Sequence, residues 1–271
     1  MNAILSVILA ATLAGLEPPL PVESNTVDDD KEAAAERLEF MKRSASVYTV
    51  TRADSKTPLK LLPEPVLRWT NPVSNVPDGC LVVWVGPTGR PELAAQVFIA
   101  AGSKDLWLHE FQSLSEHALT VSRGGAPQWQ PQRPGIEMKP VEGAPGPAES
   151  AVKRLTQMRK IAESFEATDD FEGKSRWELR LLSKPLQRYE KSSADVLDGA
   201  LFAFAHGTDP EVFLMLEARG ADGQYAWHYG LAPMTAYAVK VSSAGREIWS
   251  APHRQGPFAA SEPFFILKYL P

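Results

Sequence analysis

Hydrophobic positions follow one pattern twice along the chain. Four apolar residues, spaced three, four and three positions apart, occur early and again in the middle: Leu38, Met41, Ala45 and Tyr48, then Leu155, Met158, Ala162 and Phe165. This spacing puts each set on one face of a helix. The pattern therefore predicts amphipathic helices over about 30–47 and 151–165.

Each predicted helix is followed by segments typical of antiparallel strands. An Asp-Gly pair leads into an apolar run, "CLVVWV" from Cys80 and "ALFAFA" from Ala200, and a turn rich in Gly, Pro and Asp follows each run. Three further apolar segments come after each turn. The two central runs are apolar at successive positions, which indicates strands covered on both faces. We expect the helix to cover one face and the twin unit the other.

The sequence thus predicts an α+β fold of two tandem repeats, each an amphipathic helix packed on an antiparallel meander of about four to five strands. The first strand, over about 59–69, should bend because Pro63 and Pro65 cannot donate to a ladder. The predicted boundaries are a signal peptide (1–14), a tether (15–29), the first repeat (30–130), a Pro/Gly-rich linker (131–150), the second repeat (151–250) and an apolar C-terminal tail packed on the fold (251–271).

Several polar and aromatic residues recur at matching places. In the first unit they are Arg68, Asp78, Gly79, Thr88, Glu92, Trp107 and Trp129. The corresponding residues of the second unit are Arg188, Asp198, Gly199, Thr208, Glu211, Trp227 and Trp249. We interpret them as structural residues. Asp-Gly would shape a turn, threonine would close the hairpin turn with a hydrogen bond, and arginine would pair with a carboxylate. The alternative is a pair of equivalent binding sites.

The chain opens with an uncharged, mostly apolar run of 13 residues, Ile4–Leu16. It is too short to span a bilayer, which takes about 20 residues, and it has the length of a signal-peptide core. Thr12 and Ala14 fit cleavage after Ala14, although no Lys or Arg precedes the run. We expect an exported protein, periplasmic or extracellular, with no transmembrane span after signal removal. The alternative is an apolar N-terminal element docked on the fold.

The net charge and the absence of known motifs limit the partners, cofactors and catalytic groups that the sequence predicts. The net charge is −5 and no dense Lys/Arg run occurs, which argues against nucleic acid as a partner. The single cysteine, Cys80, excludes an intramolecular disulfide, and its apolar neighbours predict a buried thiol. No nucleotide, metal or nucleophile-elbow motif occurs, so no cofactor or metal is expected and catalytic residues stay unassigned. His109 and His228 are predicted as strand histidines, and His206 as a turn residue.

Two phrases of the second unit, "DGALFAFAHGTDPEVFLMLEA" and "AWHYGLAPMTA", resemble uncharacterised exported proteins of planctomycete-type bacteria. The resemblance extends from about Gln130 to Ser250 and more weakly through the first unit. It implies export and carries no activity to transfer.

Three functions remain open. The first is a non-enzymatic envelope or periplasmic protein with a structural or binding role, whose partner is an unknown protein. The second is a carrier of a small hydrophobic ligand in the groove between a sheet and its helix. The third is a hydrolase with an unrecognised site near His206 or His228. A cleft that brings His206 to a carboxylate would favour the hydrolase, and a deep apolar pocket would favour the carrier.

Overall fold

The computed structural model describes residues 26–103, 105–173, 176–190 and 195–269, with side chains described from Asp30 onward apart from Glu172. The predicted signal peptide and most of the tether lie outside these residues. The protein is mostly β with two helices, and its antiparallel sheets include a curled half-barrel. No helix within the described ranges combines the length and apolarity that a membrane crossing requires.

The elements of the first half are α1 (Thr26–Ser46), β1 (Tyr48–Arg52), β2 (Lys60–Leu61), β3 (Leu67–Asn71), β4 (Val76–Val85), β5 (Pro91–Ile99), β6 (Trp107–Ser113), β7 (Leu119–Arg123) and β8 (Ala126–Trp129). The connecting segment contains β9 (Lys139–Pro140). The second half consists of α2 (Ala151–Ala162), β10 (Phe165–Asp169), β11 (Trp177–Leu181), β12 (Gln187–Glu190), β13 (Val196–His206), β14 (Asp209–Ala221), β15 (Gln224–Pro233), β16 (Val239–Ser243) and β17 (Arg246–Ala251). The last strand is β18 (Phe264–Tyr269).

The strands pair in a simple order within each half. In the first half β8, β7 and β1 form one sheet, and β2, β4, β5, β6 and β18 form the next, with β3 also paired to β4. The amide of Leu59 donates to the carbonyl of Val50 at 2.7 Å, which joins these two sheets. In the second half the order is β17-β16-β10-β11-β13-β14-β15-β9, with β12 also paired to β13. Neighbouring strands are antiparallel throughout these sheets.

The layers follow from the alternation of side chains along the central strands. Cys80, Val82 and Trp84 of β4 join Met41 and Ala45 of α1 in one buried core. Ala200, Phe202 and Phe204 of β13 likewise join Met158 and Ile161 of α2 in a second core. The intervening residues point the other way and meet in a third core between the two sheets: Leu81, Val83 and Val85 with Leu201 and Ala203. The order of layers is helix, sheet, sheet, helix, and the predicted coverage of both strand faces is confirmed.

The predicted helix ends need correction. Tyr48 and Phe165 are the first residues of β1 and β10, and α2 ends at Ala162. Their side chains are still buried against the helix-side cores, because each strand starts within three residues of the helix end. The hydrophobic pattern therefore continues across the boundary and lengthens the apparent helix. The strand predicted over 59–69 divides into β2 and β3, with Pro63 and Pro65 between them.

The prediction that the Asp-Gly pairs shape turns is wrong. Asp78 and Gly79 lie inside β4, and Asp198 and Gly199 lie inside β13. A Cβ atom on Gly79 would come within 2.7 Å of the Trp69 indole, and one on Gly199 would collide with the Tyr189 ring. Each glycine is therefore required by an aromatic ring that covers the strand from its neighbour.

The C-terminal tail returns from the second half to the first. Residues Phe264–Tyr269 pair with β6 along six registered positions, so the predicted packing of the tail on a sheet is confirmed. The connecting segment is also packed, because Ile136 is buried in the core between the sheets. The two halves therefore share a core and exchange edge strands.

Candidate functional site

The arginines and aspartates that occur at matching places in the two halves form two similar clusters. In the first cluster, Arg68 donates to Asp78 through Nε at 3.0 Å and Nη2 at 2.7 Å, and Arg37 of α1 donates to Asp78 at 2.8 Å. Nη2 of Arg68 also donates to the carbonyl of Ala34 at 2.6 Å. This first arginine–aspartate cluster ties the helix to β3 and β4.

The second arginine–aspartate cluster has the same connections. Arg188 donates to Asp198 through Nε at 3.2 Å and Nη2 at 2.8 Å, and Arg154 of α2 donates to it at 2.7 Å. The carbonyl of Ala151 takes the place of Ala34 and accepts from Arg188 at 2.7 Å. Each cluster lies on the outer, helix-facing side of its sheet, away from the space between the sheets.

The remaining duplicated residues divide between cores and turns. Trp107, Trp129 and Trp227 are buried in the helix-side cores, and Trp249 is partly buried against the second. The predicted threonine hydrogen bond within the turn is wrong for Thr208, whose hydroxyl donates to the carbonyl of Thr70 in the other half. Thr88 is exposed in the first turn.

Glu92 and Glu211 are buried beside the turns that lead into β5 and β14, but their surroundings differ. Glu92 lies 3.4 Å from Nη1 of Arg90 and 3.9 Å from Nη1 of Arg52. Arg90 also donates through Nε to Glu217 of the second half at 2.8 Å. The carboxylates around Glu92 are therefore accompanied by guanidinium groups.

Glu211 has aspartates where Glu92 has arginines. Asp209 precedes Pro210-Glu211 as Arg90 precedes Pro91-Glu92. Asp169 pairs with Val239 at the end of the β10–β16 ladder, as Arg52 pairs with Leu119 at the end of the β1–β7 ladder. Two cations of the first half are thus replaced by two carboxylates in the second, around a glutamate that both halves retain.

A cavity of about 280 Å³ lies next to these carboxylates, between the two halves. Residues from β4, β5, β6 and β18 form one wall, and residues of the second half form the other. No residue of α1 or α2 lines it. Its lining consists of Asn71, Ser74, Val76, Phe98, Ala101, Leu108, Glu110, Phe171, Asp209, Glu211, Met234, Thr235, Ala236, Tyr237 and Ile266.

Three carboxyl groups line this cavity and are poorly solvated. Burial raises the pKa values of Glu110 and Glu211 well above the usual range, and the proximity of Asp209 raises them further. Burial also raises the pKa of Asp209 to about 7, against opposing hydrogen bonds from Asn71 and Gln96. These groups therefore lose their protons at higher pH than ordinary surface carboxyls do.

The hydrogen-bonding capacity of the site is incompletely used. Glu110 is only 7% exposed and makes no hydrogen bond to the described residues, although its carboxyl oxygens are not fully enclosed by protein atoms. Asn71 donates to Oδ2 of Asp209 at 3.4 Å, whereas Oδ1 of Asp209 is buried without a partner among the described residues. Arg254 attracts the Glu110 carboxylate at longer range, which only partly offsets the effect of burial on its pKa. Buried polar groups of this kind are uncommon and indicate an expected partner.

His206 belongs to the same region. The prediction that it is a turn residue is wrong. It ends β13, is buried, and its Nδ1 lies 3.0 Å from Oδ2 of Asp169. Phe171 and Trp177 contact its ring with centroids 5.1 and 5.0 Å away. Nε2 has no partner within the described residues. Burial raises the pKa of Asp169 while the hydrogen bond from His206 lowers it.

The other singled-out residues are part of the packing. His109 is in β6, which confirms the predicted strand histidine. Its Nδ1 lies 2.6 Å from the Tyr48 hydroxyl, and burial lowers its pKa to about 4. His228 is half-buried in β15, with Nδ1 3.2 Å from the carbonyl of Ala226. Cys80 is fully buried and burial raises its pKa to about 12, so the predicted buried thiol is also confirmed.

Sequence reasoning missed the cavity residues, although one pattern pointed to them. Arg52 and Asp169 match at an offset of 117 residues, and Arg90 and Asp209 match at 119. Only an alignment of the halves that changes its offset at each loop shows this double reversal of charge. Glu110 has no such pattern, because a single glutamate in an apolar strand becomes informative only when its face is known.

Comparisons with known proteins found no protein-family model, no curated protein and no solved structure that matches this chain. Within the described ranges, no group of three or more His, Cys, Asp or Glu side chains is arranged to hold a metal ion.

Proposed function

We propose that this chain is an exported, non-enzymatic binding protein whose ligand occupies the cavity between its two halves. The observation that carries the proposal is the Glu110 carboxyl group, which is 7% exposed, lines the cavity and has no hydrogen-bond partner among the described residues. Oδ1 of Asp209, in the same cavity, is fully buried without a partner among the described residues, and leaving such an atom unpaired costs about 1–3 kcal/mol. A bound molecule that donates to Asp209 and contacts Glu110 would offset this cost.

We also propose that the two halves arose by tandem duplication. The elements follow the same order in each half, and the strand orders β8-β7-β1-β2-β4-β5-β6 and β17-β16-β10-β11-β13-β14-β15 correspond strand by strand. The two arginine–aspartate clusters repeat the same donors and acceptors. Duplication explains why one fold is built twice, and the cavity is where the two copies differ in charge.

Export is supported by the apolar run of Ile4–Leu16 and by the resemblance to exported bacterial proteins. The expected mature N-terminus is near Gly15. N-terminal sequencing of protein recovered from its own host tests this. A mature chain that still begins at Met1 would contradict cleavage.

The binding proposal is tested by native mass spectrometry of the protein purified from its own host. We expect a retained small molecule, and we expect it to be absent from the cavity-filling variant Ala236→Leu. The matched control is Ala126→Leu, which adds the same side chain at an exposed position of β8. The proposal fails if the wild-type protein carries no retained mass, or if Ala236→Leu carries as much as the control.

A hydrolase is the second candidate, because His206 is paired with Asp169 and its Nε2 is unpaired, as in a general base. Chromogenic esters, amides, phosphates and glycosides provide the screen. Catalysis by this pair requires that His206→Gln and Asp169→Asn abolish any turnover that His228→Gln leaves intact. The hydrolase candidate is excluded if turnover survives all three substitutions. It is also excluded if the wild-type protein turns over none of these substrates.

A further inference from the structure

We propose that the cavity between the halves selects a small organic cation, a guanidinium, amidinium or primary ammonium group carried on an apolar body. This inference rests on the proposed binding function and specifies its ligand class. It combines the unpaired carboxyl groups of the cavity, the charge reversal relative to the first half, and the apolar walls.

The charges of the cavity favour a positively charged ligand. Glu110, Asp209 and Glu211 all line it. Of the groups that face them from the surrounding elements, Asp169 adds a further carboxylate that is paired with His206, and Arg254 acts on Glu110 from outside the lining. Among the described residues, the three carboxyl groups therefore share one long-range guanidinium. A ligand cation would stabilise their deprotonated forms and provide hydrogen-bond donors to Glu110 and to Oδ1 of Asp209.

The corresponding region of the first half shows which group suits this backbone arrangement. There Arg90 is 8% exposed and its guanidinium contacts Glu92, Glu217 and the carbonyl of Leu114. The chain itself supplies the cation at that place. Asp209 takes the position of Arg90 in the second half, so a cation there has to come from outside.

The two backbone carbonyls that correspond to acceptors of Arg90 already accept hydrogen bonds in the second half, which leaves the carboxyl groups for the ligand. Nε2 of Gln96 donates to the carbonyl of Pro210 at 2.8 Å and approaches that of Met234 at 3.4 Å. These carbonyls correspond to those of Pro91 and Leu114, which accept from Arg90. A ligand cation would therefore bind beside Gln96, against the carboxylates, and would not replace its amide.

The other walls are apolar and suit a ring or a short alkyl chain. Phe98 and Phe171 present aromatic rings, and Leu108 and Ile266 present aliphatic side chains. A cavity of about 150 Å³ is enough for one benzene ring, so 280 Å³ accommodates a single ring with a charged substituent. Aromatic walls also attract cations through their faces.

Isothermal titration calorimetry with benzamidine, benzamide and benzoate at pH 8 tests the inference. These molecules share one ring and differ in charge. We expect benzamidine to bind at least about 10-fold more tightly than benzamide, since the amidinium forms charge-assisted hydrogen bonds, and benzoate not to bind. Binding of the cation displaces protons from the cavity carboxyls, whose pKa values are all raised. Affinity for benzamidine should therefore fall about 10-fold or more at pH 5.5, where Asp209, whose pKa is about 7, is protonated in the free protein.

Matched variants locate the binding. Glu110→Gln and Glu211→Gln should each weaken benzamidine binding at least about 5-fold, because one charge-assisted contact is lost. Glu92→Gln is the control, since it makes the same change at the corresponding position of the first half, outside the cavity. Thermal unfolding of each variant establishes that it is folded.

The outcomes separate this inference from the proposed binding function. If benzamide and benzamidine bind equally and Ala236→Leu weakens both, the preference for a cation is wrong but binding in the cavity is retained. If Glu110→Gln and Glu211→Gln leave the affinity for benzamidine unchanged, the inference is also wrong. A neutral or anionic molecule retained from the host does the same. Absence of benzamidine binding overturns it too, and the retained mass from the host then decides the binding function alone.

Discussion

Removal of the buried carboxylate of Asp198 should destabilise the protein far more than the same change at Asp78. Asp198→Asn keeps the shape of the side chain but removes the charge that accompanies Arg154 and Arg188. Arg154 has a side chain only 8% exposed, and Arg188 is 22% exposed. Breaking a buried pair by removing one partner costs about 3–5 kcal/mol, because the remaining charge stays out of water.

The first cluster provides the comparison. Arg37 and Arg68 contact Asp78 with similar geometry, but their side chains are 34% and 37% exposed. These guanidinium groups keep access to water when Asp78 is changed, so Asp78→Asn should cost only about 1–2 kcal/mol, within the range of partly solvated charged hydrogen bonds. Burial of the arginines, and not the number of hydrogen bonds, decides the difference.

Urea denaturation followed by tryptophan fluorescence measures both costs. We expect the loss of unfolding free energy in Asp198→Asn to exceed that in Asp78→Asn by about 2 kcal/mol. Asp105→Asn, at an exposed site, controls for the amide substitution itself. Equal losses for the two clusters, or a larger loss at Asp78, would refute the reasoning from arginine burial.

Two further predictions concern the packing and the cavity. Gly199→Ala should lower the unfolding free energy by about 1–3 kcal/mol in urea melts, because the new Cβ displaces the Tyr189 ring and its hydrogen bond to Glu217. Gly146→Ala, where a Cβ meets open space, should leave the unfolding free energy unchanged. Equal effects of the two substitutions would contradict the ring contact. Glu110→Gln should make the ligand-free protein more stable than wild type at pH 8 and similar to it at pH 4.5. The raised pKa of Glu110 means that the folded state keeps a proton that the unfolded state loses, so wild-type stability falls as pH rises above about 4.5. A wild-type advantage that grows with pH would contradict this sign.

Much of the fold follows from local sequence patterns. The helix stripes, the central apolar strands and the bend at Pro63 and Pro65 all result from side-chain periodicity and from the missing amide of proline, which act over a few residues. The prediction failed where a local pattern has two physical origins. Asp-Gly is typical of turns, but in β4 and β13 the glycine makes room for an aromatic ring from another strand. That ring lies ten residues away in sequence, at Trp69 and Tyr189.

The site required information that periodicity does not contain. Two halves with the same strand order bury equivalent positions, so a charge at such a position needs a partner in either half. In the first half Arg52 and Arg90 accompany Glu92, so the chain itself supplies the cations there. In the second half the same places hold Asp169 and Asp209 around Glu211, and Asp169 accepts hydrogen bonds from His206 and from the amide of Phe171. Buried carboxylates without accompanying cations lower stability, and selection tolerates that loss most readily where a ligand offsets it.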